Sequence, residues 1–440
     1  MGCRGLEIGI VDRSILSKAI ALLLKYPLCE NCLGRLFGSL GRGLSNYERG
    51  KALKIVVLME IYRRFIEGSM SKEEFITIAS NTGAIAKQSI LELGLPVPGD
   101  QSRCIICGFS LLEEKLTEWT QRIVKCIKEY NARSFLIGVV KGSSIEKREE
   151  ELAKEIELKY YENIRNEVKR EVGKKVQELI DIKPNFTRPD VVLIVDIDND
   201  AIIVKPMPIY IKGRYWKLGR RISQAKWILW NGSKKYPLSI EEVLESMGEI
   251  VGAKEVILHA SGREDVDVRM LGTGRPFIVE LKEPKTYKFD FKTLEEKANS
   301  ASRYIRLTLE CETSRKDIRL IKIERARKTK VYKALIIVEK DLSEDELKRL
   351  EEYFHGRVIY QRTPRRVLHR RPDVERYRKV YNVKTRLITS NVFEALIECE
   401  GGLYIKELVS GDNGRTRPSF TEYFGAQAVC IELDVVAVYQ

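Results

Sequence analysis

The chain has 440 residues and is 44% hydrophobic, and no apolar run approaches the roughly 18 residues of a membrane-spanning helix. Its 77 Lys and Arg residues outnumber 63 Asp and Glu residues, and the net charge of +14 favours a polyanionic partner such as nucleic acid. The beginning of the sequence lacks the long apolar segment of a secretory signal, so we expect a cytoplasmic protein whose nine cysteines are buried or bind metal.

The first hundred residues have the apolar periodicity of helices, over Ser14–Tyr26 and again over Tyr47–Ile66. Two Cys-x-x-Cys pairs, each followed closely by a glycine, fall in and after this region. Their spacing predicts a structural four-cysteine zinc site formed by Cys29, Cys32, Cys104 and Cys107. A redox role is the weaker interpretation, because one pair would suffice for it. None of the three histidines lies near these cysteines, so nothing indicates a catalytic metal.

The next region alternates helix and strand. Trp119–Tyr130 is predicted to be a helix and Ser134–Val140 a strand. The charged stretch Ser144–Ile180 is predicted to be one amphipathic helix with a break near Gly173. Two strands, 190–196 and 201–211, then form a pair joined by a turn. This order of elements resembles that of a THUMP domain, an RNA-binding module of RNA-modifying enzymes.

A basic segment with interleaved aromatic residues follows at 212–227. It combines six Lys and Arg residues with one Tyr and two Trp residues. Cations for phosphates beside aromatic faces for bases are what RNA contact needs, so we predict RNA binding here. Ser239–Val251 is then a short helix capped by Ser239, which opens the last domain. The predicted domains are 1–108 (helical, with the zinc site), 109–235 (THUMP-like) and 236–440 (catalytic).

The loop 259–277 is the main candidate for chemistry. It follows the short apolar strand 256–258 and contains three carboxylates and three arginines: Glu264, Asp265 and Asp267, with Arg263, Arg269 and Arg275. Most charged loops are solvated turns, and composition alone favours that interpretation. A loop dense in both charges and held between strands is also where scaffolds tend to place catalytic groups.

The Gly-Arg-Glu-Asp segment 262–265 resembles the Gly-Arg-Thr-Asp loop of pseudouridine synthases. The longer string 261–277 is similar to one branch, the archaeal and eukaryotic tRNA pseudouridine synthases that act on positions 54 and 55 of the TΨC arm. Further similar segments follow in the family's order, at 330–334, 360–371, 401–408 and 411–416. That family also has the paired Cys-x-x-Cys site and a THUMP domain. The resemblance implies that the chain isomerises uridine 54, uridine 55 or both to pseudouridine.

By this resemblance Asp265 is the catalytic carboxylate, with Asp267 and Glu264 as its nearest rivals. Three roles stay open for it: addition to the anomeric carbon, addition to the base, or removal of a sugar proton. Alternation along an extended loop would point Glu264 away from Asp265 and put Asp267 on the same side. The reaction requires no cofactor and no metal.

The resemblance also assigns the surroundings of the carboxylate. An ionised acid needs a positive neighbour, and Lys406 stands where other branches have an arginine. Tyr332 would stack on the flipped uracil, and Tyr404, on a predicted strand, would line the same pocket. Arg263 is assigned to substrate binding. A dense arginine run is predicted to grip the RNA backbone, and it comprises Arg362, Arg365, Arg366, Arg370 and Arg371.

The sequence thus predicts an α+β enzyme whose catalytic domain has a mixed or antiparallel sheet. We expect tRNA as its partner, no membrane, and no obligatory protein partner. The alternative is a catalytically silent tRNA-binding or tRNA-chaperone protein on the same scaffold. A zinc-dependent nucleobase deaminase is disfavoured, because no His-x-Glu sequence accompanies the Cys-x-x-Cys pairs.

Overall fold

The computed structural model describes residues 14–96, 103–108, 112–323 and 329–439. Helices and strands are mixed along these ranges, which confirms the predicted α+β class. The chain divides into two compact units, 1–206 and 207–440. In the described ranges no helix is both long enough and apolar enough to cross a membrane. The division into three domains at 108 and 235 stays a prediction.

The first unit is mostly helical and has a small sheet. Its helices are α1 (Ile15–Lys25), α2 (Glu30–Leu36), α3 (Asn46–Ile66), α4 (Lys72–Thr82), α5 (Lys87–Glu92), α6 (Leu112–Glu129), α7 (Ser144–Glu155) and α8 (Ile164–Ile180), with a 3-10 turn at Ala84–Ala86. Its strands are β1 (Phe135–Val139), β2 (Val191–Asp196) and β3 (Ala201–Pro206). β1 pairs with β2 in parallel, and β2 pairs with β3 antiparallel. Alternate residues of β1 and β2 are buried, so one face of this sheet packs against the core.

Two predictions for this unit need correction. The single helix 144–180 is wrong, because α7 ends at Glu155 and α8 begins anew at Ile164, where the Asn163 side chain accepts from the Arg165 amide at 2.9 Å. Gly173 lies inside α8 and does not break it. The second predicted strand also ends early, at Pro206, and a new strand starts at Ile209. Prolines have no amide hydrogen for the ladder, which accounts for a strand end here.

The second unit is organised around a ten-stranded sheet. The strands of this unit are β4 (Ile209–Lys217), β5 (Ile222–Ser223), β6 (Leu238–Ser239), β7 (Glu255–Ala260), β8 (Arg269–Lys282), β9 (Ile305–Glu312), β10 (Thr329–Val338), β11 (Val358–Arg362), β12 (Glu375–Thr389), β13 (Val392–Glu400), β14 (Thr416–Arg417) and β15 (Ala428–Val438). Of these, β5 and β6 pair only with each other, apart from the large sheet. Its helices are α9 (Ile240–Val251), α10 (Phe291–Ser300), α11 (Arg315–Ile323), α12 (Glu344–Phe354), α13 (Ile405–Ser410) and α14 (Phe420–Phe424), with a 3-10 helix at Arg365–Arg370. α9 confirms the predicted capped helix, since the Ser239 hydroxyl accepts from the Glu242 amide at 3.2 Å.

The large sheet runs in the order β14-β11-β12-β13-β10-β15-β8-β4-β9, and β7 pairs with β8 beside this path. Its pairs are antiparallel except the short parallel contact of β15 with β8, which confirms a mixed sheet. β10 lies in the middle of the order, so its residues are hydrogen-bonded on both sides, by β13 and β15. This sheet provides a rigid platform on which the loop after β7 and the segment after β11 are mounted.

β4 changes the interpretation of the basic aromatic segment 212–227. Alternate residues along β4 are buried, and this pattern puts Tyr215 and Lys217 inside the fold. The prediction of RNA contact is therefore wrong for these two residues. The predicted strand ends at 211, so the period-2 burial of β4 beyond that residue was not anticipated.

The predicted catalytic loop is shorter than the sequence suggested. The strand before it is confirmed as β7, but Arg269–Phe277 already belongs to β8, which leaves 261–268 as the loop. Gly272 has φ +54 and a Cβ there would lie 1.7 Å from the Val436 carbonyl oxygen, so this glycine permits β8 and β15 to approach closely. The charged residues of the short loop are thereby fixed between two strands of the sheet.

Candidate active site

The loop 261–268 is held at both ends by backbone hydrogen bonds. The Ser261 amide donates to the Pro276 carbonyl at 3.1 Å, and the Val268 amide donates back to the Asp265 carbonyl at 3.0 Å. Gly262 has φ +88, a conformation that favours glycine, and it turns the chain away from β7. The three carboxylates of the loop therefore project from a defined turn.

The Glu264 side chain points into the protein, where it is 2% exposed. Its carboxylate accepts from Arg275 Nε at 2.8 Å and from the Tyr215 hydroxyl at 3.3 Å, and it lies 3.6 Å from Lys217 Nζ. Burial alone would raise the pKa of Glu264, but the charges of Arg275 and Lys217 outweigh it and hold that pKa below its ordinary value. Glu264 is thus a buried anion that neutralises two buried cations.

Lys217 connects this buried cluster to the backbone of the loop. Its Nζ donates to the carbonyls of Asp265 at 2.9 Å, Ile222 at 3.1 Å and Val266 at 3.4 Å. Burial lowers the pKa of Lys217, and the neighbouring Glu264 opposes that effect. The peptide groups on the C-terminal side of Asp265 are therefore fixed from inside the fold.

Asp265 points the other way, into a pocket, with its side chain 32% exposed. Arg366 Nη1 lies 2.8 Å from Asp265 Oδ2, and Arg366 Nε donates to Glu407 Oε1 at 2.6 Å. Burial lowers the pKa of Arg366, but its hydrogen bond to Glu407 and the charges of Glu407 and Asp265 raise that pKa by more. The guanidinium therefore stays charged. The ion-pair partner of Asp265 in this structure is an arginine of the predicted backbone-gripping run.

Lys406 is paired with a different carboxylate. It lies in the first turn of α13, and its Nζ forms an ion pair with Asp267, whose side chain is 61% exposed. Burial raises the pKa of Asp267, but the hydrogen bond and charge of Lys406 lower that pKa by more, so the net shift is downward. The expectation that Glu264 points away from Asp265 is met, while Asp267 is held outside the pocket lining.

Tyr404 is the residue before α13, and the prediction that it lies on a strand is wrong. Buried Gln361 fixes its backbone, because the Gln361 amide accepts from Tyr404 N at 2.8 Å and donates to Tyr404 O at 3.1 Å. Arg371 donates to the Tyr404 hydroxyl at 2.7 Å, and Arg376 lies 5.3 Å from the ring centroid. Cations therefore surround this ring, and its orientation is fixed.

These groups surround a cavity of 290 Å³. Its lining is made of Arg263, Glu264, Asp265, Val268, Arg275, Lys330, Tyr332, Arg366, Val367, Arg370, Arg371, Arg376, Gly402, Leu403, Tyr404, Ile405, Lys406, Leu433 and Val435. Eight of these side chains are basic and two are acidic, so the pocket carries a strong positive field that favours a phosphate-bearing ligand. The cavity is at the lower end of the volume range of small-ligand sites.

The structure brings five of the predicted site residues to one cavity. Asp265, Tyr332, Tyr404, Lys406 and Arg263 all line the cavity. Tyr332 projects from the central strand β10, where burial raises its pKa, so it is a neutral phenol at neutral pH.

Arg362 is outside the lining. Its guanidinium lies 3.0 Å from Asp373. Sequence reasoning flagged Arg366 as a phosphate contact and missed that it faces Asp265. It also did not predict the structural roles of Lys217 and Gln361, whose side chains hydrogen-bond to the backbone of Asp265 and of Tyr404.

In the first unit, the four predicted zinc ligands do come together. The Sγ atoms of Cys29, Cys32, Cys104 and Cys107 all lie within 4.8 Å of one another, and each residue is buried. A tetrahedral ion with bonds of about 2.3 Å to sulfur needs sulfurs about 3.8 Å apart. The Cys29–Cys107 separation is 3.8 Å. This buried cluster could hold a structural metal ion. Arg35 Nη2 lies 3.3 Å from Cys32 Sγ, and the same guanidinium forms ion pairs with the buried carboxylates of Glu149 and Glu167.

Known protein families match the chain along both units. The family described as "Pus10, C-terminal" matches residues 210–439, and the one described as "Pus10 THUMP domain, archaeal" matches residues 119–196, which confirms the predicted THUMP-like module. Among solved structures, one described as "Crystal structure of pseudouridylate synthase" is 11% identical with a TM-score of 0.20, covering 51% of this chain and 63% of that chain. A likeness that weak carries no weight here.

Curated relatives match nearly the full length. A protein of Ignisphaera aggregans named "tRNA pseudouridine synthase Pus10" is 45% identical over 97% of this chain and 99% of its own length. Proteins of the same name from Aeropyrum pernix and Methanocaldococcus jannaschii are 40% and 38% identical, over 97% and 95% of this chain and 98% and 93% of their own lengths. With similarity of this extent the chain belongs to the Pus10 family, and it is a pseudouridine synthase.

Proposed function

We propose that this protein isomerises uridine 54, uridine 55 or both in the TΨC arm of tRNA, with Asp265 as the catalytic carboxylate. The observation that carries the assignment is the partly exposed Asp265 carboxylate, 2.8 Å from Arg366 in a pocket lined by eight basic side chains. The tRNA substrate is suggested by the names of the full-length relatives. The THUMP match adds an RNA-binding module.

The two rival carboxylates of the loop suit the role less well. Glu264 is enclosed by Arg275, Lys217 and Tyr215, so a substrate would have to displace a buried ion-pair network to reach it. Asp267 is paired with Lys406 and is not part of the cavity lining. Asp265 combines access to the cavity with a charged partner.

The reaction breaks the bond between the anomeric carbon and N1 of uracil and forms a bond from that carbon to C5. The proton leaving C5 is balanced by the proton gained at N1, so no oxidant, reductant or metal is required. The ionised Asp265 adds to the anomeric carbon, adds to the base, or takes the sugar proton. Arg366 Nη1, 2.8 Å from Asp265 Oδ2, is the cation paired with this carboxylate, and we assign to Arg366 the role that the resemblance gives to Lys406.

The remaining lining residues suit a flipped nucleotide. Tyr332 and Tyr404 offer flat ring surfaces for the uracil, and Tyr332 stays uncharged at neutral pH. Arg263, Arg370 and Arg371 would bind the phosphates on either side of the target, because guanidinium groups suit phosphate geometry. Arg362 does not line the cavity, so any contact that it makes with the RNA backbone lies outside the cavity.

The proposal includes two features away from the chemistry. We assign a structural Zn²⁺ to the four-cysteine cluster, since four thiolates at tetrahedral spacing are a zinc donor set. We also keep the cytoplasmic location expected from the sequence, which cell fractionation tests. Neither feature supplies a catalytic cofactor.

The proposal is tested by mapping pseudouridine, position by position, in a tRNA transcript incubated with the wild-type protein and with Asp265→Ala. We expect pseudouridine at position 54, position 55 or both with the wild type, none with the variant, and tRNA affinity within about twofold for the two proteins, since Asp265 adds no positive contact to phosphate. Full activity of Asp265→Ala would refute the catalytic assignment. A wild type that binds tRNA without modifying it would instead favour the silent tRNA-binding protein.

A further inference from the structure

The segment 227–235 of the second unit forms a small hairpin with a tryptophan at its tip. The Lys235 amide donates to the Trp227 carbonyl at 2.9 Å, and the Leu229 amide donates to the Ser233 carbonyl at 2.8 Å. At the tip, Asn231 Oδ1 accepts from the Ser233 amide at 3.0 Å and from its hydroxyl at 2.7 Å. Trp230, beside this turn, is 98% exposed. The turn hydrogen bonds fix the tip backbone that carries the indole.

The hairpin is anchored to helix α9 and to the catalytic loop. Lys234 and Lys226 form ion pairs with Glu242 and Glu245 of α9. Just before the hairpin, Gln224 Nε2 donates to the Gly262 carbonyl of the catalytic loop at 2.9 Å. These contacts fix where the hairpin stands relative to Asp265.

A third contact brings the hairpin beside the cavity. Arg370, which lines the cavity, lies 5.9 Å from the Trp227 ring centroid, and Lys235 lies 4.3 Å from the same centroid. Trp227 therefore packs between cations and serves to position the hairpin. Trp230 makes no such contribution, because nearly its whole surface is in water.

An exposed tryptophan at a fixed tip has no role in the stability of the fold. A tryptophan carries a large apolar surface, which normally is buried or meets a partner. At the base of the same hairpin, the Trp227 indole lies near Lys235 and Arg370, and Arg370 lines the strongly basic pocket. Trp230 stands three residues further along the chain, at the exposed tip. A flat aromatic face next to cations is the combination that binds an unstacked nucleobase and its phosphate.

We propose that Trp230 is a positioning residue that stacks on a nucleobase of the substrate RNA next to the target uridine. The target must leave its stack to enter the cavity, and its neighbour then loses a stacking surface. The indole supplies a replacement surface and stabilises the opened RNA. This inference rests on the proposed function, because it takes the RNA in the cavity to be the substrate.

The test compares Trp230→Leu with Trp230→Phe in the full-length protein, on the tRNA transcript used for mapping. Leucine keeps the apolar volume without a ring, whereas phenylalanine keeps a stacking face. We expect kcat/KM for pseudouridine formation to fall about 5- to 150-fold in Trp230→Leu, the range that stacking of one base carries, and to be largely restored in Trp230→Phe. Equal kcat/KM in the two variants would overturn the inference.

A second measurement reads the stacking directly. Tryptophan fluorescence is titrated with the same tRNA in the wild type and in Trp230→Phe. On titration with tRNA, the tryptophan emission of the wild type should fall by more than that of the variant, because the stacked base quenches the indole of Trp230. Identical titrations would overturn the inference and would favour a protein as the partner of the exposed Trp230. If the wild type shows the Trp230-dependent quench but makes no pseudouridine, the proposed function fails and the RNA contact remains.

Discussion

Glu264 and Asp265 are neighbours in the chain and have opposite surroundings. Glu264 lies between Arg275 and Lys217 inside the fold, and Asp265 faces a cavity with Arg366 at 2.8 Å. Alternation predicted that their side chains point in opposite directions, and the structure has them so, whereas the catalytic assignment of Asp265 stays a prediction. The partner of Asp265 could not be found in the same way, because it depends on where the segment after β11 folds back. Arg366 and Lys406 are both basic and both lie in segments similar to the family, and only the fold shows which of them faces Asp265.

The first residue-scale prediction separates Arg366 from Lys406. Arg366→Ala should lower kcat by about 10²- to 10³-fold, because removing one pre-placed charged group from a catalytic site costs roughly 2.7–4 kcal/mol of transition-state stabilisation. Lys406→Ala should lower kcat less than about tenfold, since it frees only the exposed Asp267. Arg365→Ala is the matched control, an exposed arginine beside Arg366 that is not in the cavity lining. A larger loss in Lys406→Ala than in Arg366→Ala would restore the role first assigned to Lys406. The measurement is single-turnover pseudouridine formation.

The second residue-scale prediction concerns Glu264, the buried anion. Glu264→Gln should lower the free energy of unfolding by about 3–5 kcal/mol at pH 7, because Arg275 and Lys217 lose their counter-charge while buried. The pKa of Glu264 in the folded chain lies below its ordinary 4.5, so its stabilisation is complete above that pH and is lost as pH falls through the lower folded value. The difference between wild type and variant should therefore shrink below about pH 4.5.

Urea unfolding at pH 7 and at acid pH measures both effects. Glu283→Gln is the control, because Glu283 forms an exposed ion pair with Lys254 and should change stability by less than about 1 kcal/mol. A Glu264→Gln protein as stable as the control at pH 7 would show that the buried cluster does not hold the loop.

At the scale of elements, the apolar periodicity of the sequence predicted the helices α1 and α3. The helices α1, α3 and α9 begin where a serine caps them, and the cap is visible in the sequence. The long helix 144–180 was wrong because charged residues continue through the turn at 156–163 that separates α7 from α8. β4 continues to Lys217, past the predicted strand end at 211. Its inward Tyr215 and Lys217 are polar, and the groups that satisfy them lie outside the strand: Glu264 and Gln224 for Tyr215, and Glu264 with three backbone carbonyls for Lys217.

The four-cysteine cluster joins α2 to the segment 103–108 and yields the element-scale prediction. Purified wild type should contain about one Zn²⁺ per chain, and Cys29→Ser should lose it along with several kcal/mol of stability, because a structural zinc contributes about 10–16 kcal/mol of apparent binding free energy. Cys126→Ser, a half-buried cysteine outside the cluster, is the control. Metal analysis and thermal unfolding measure the two effects. Wild type without bound metal would contradict the zinc assignment.

At the scale of the molecule, net charge and motif order carried the functional inference. A chain with charge +14 and motifs in the order of one family suits an RNA enzyme, and the family match confirms it. The distribution of that charge could not be predicted. Eight of the basic side chains line one cavity, drawn from segments as distant as Arg263, Lys330, Arg376 and Lys406. Long-range strand pairing brings them together, and no local pattern encodes that pairing.

The central claim is that Asp265, and no other carboxylate of the loop, performs the chemistry. The most direct test is the single-turnover rate of pseudouridine formation by Asp265→Asn and Asp267→Asn, side by side on one tRNA transcript. The amide keeps the shape of each side chain and removes its charge. We expect a loss of at least about 10³-fold for Asp265→Asn and less than about fivefold for Asp267→Asn. A nearly normal rate in Asp265→Asn with a dead Asp267→Asn would contradict the claim and move the catalytic role to Asp267.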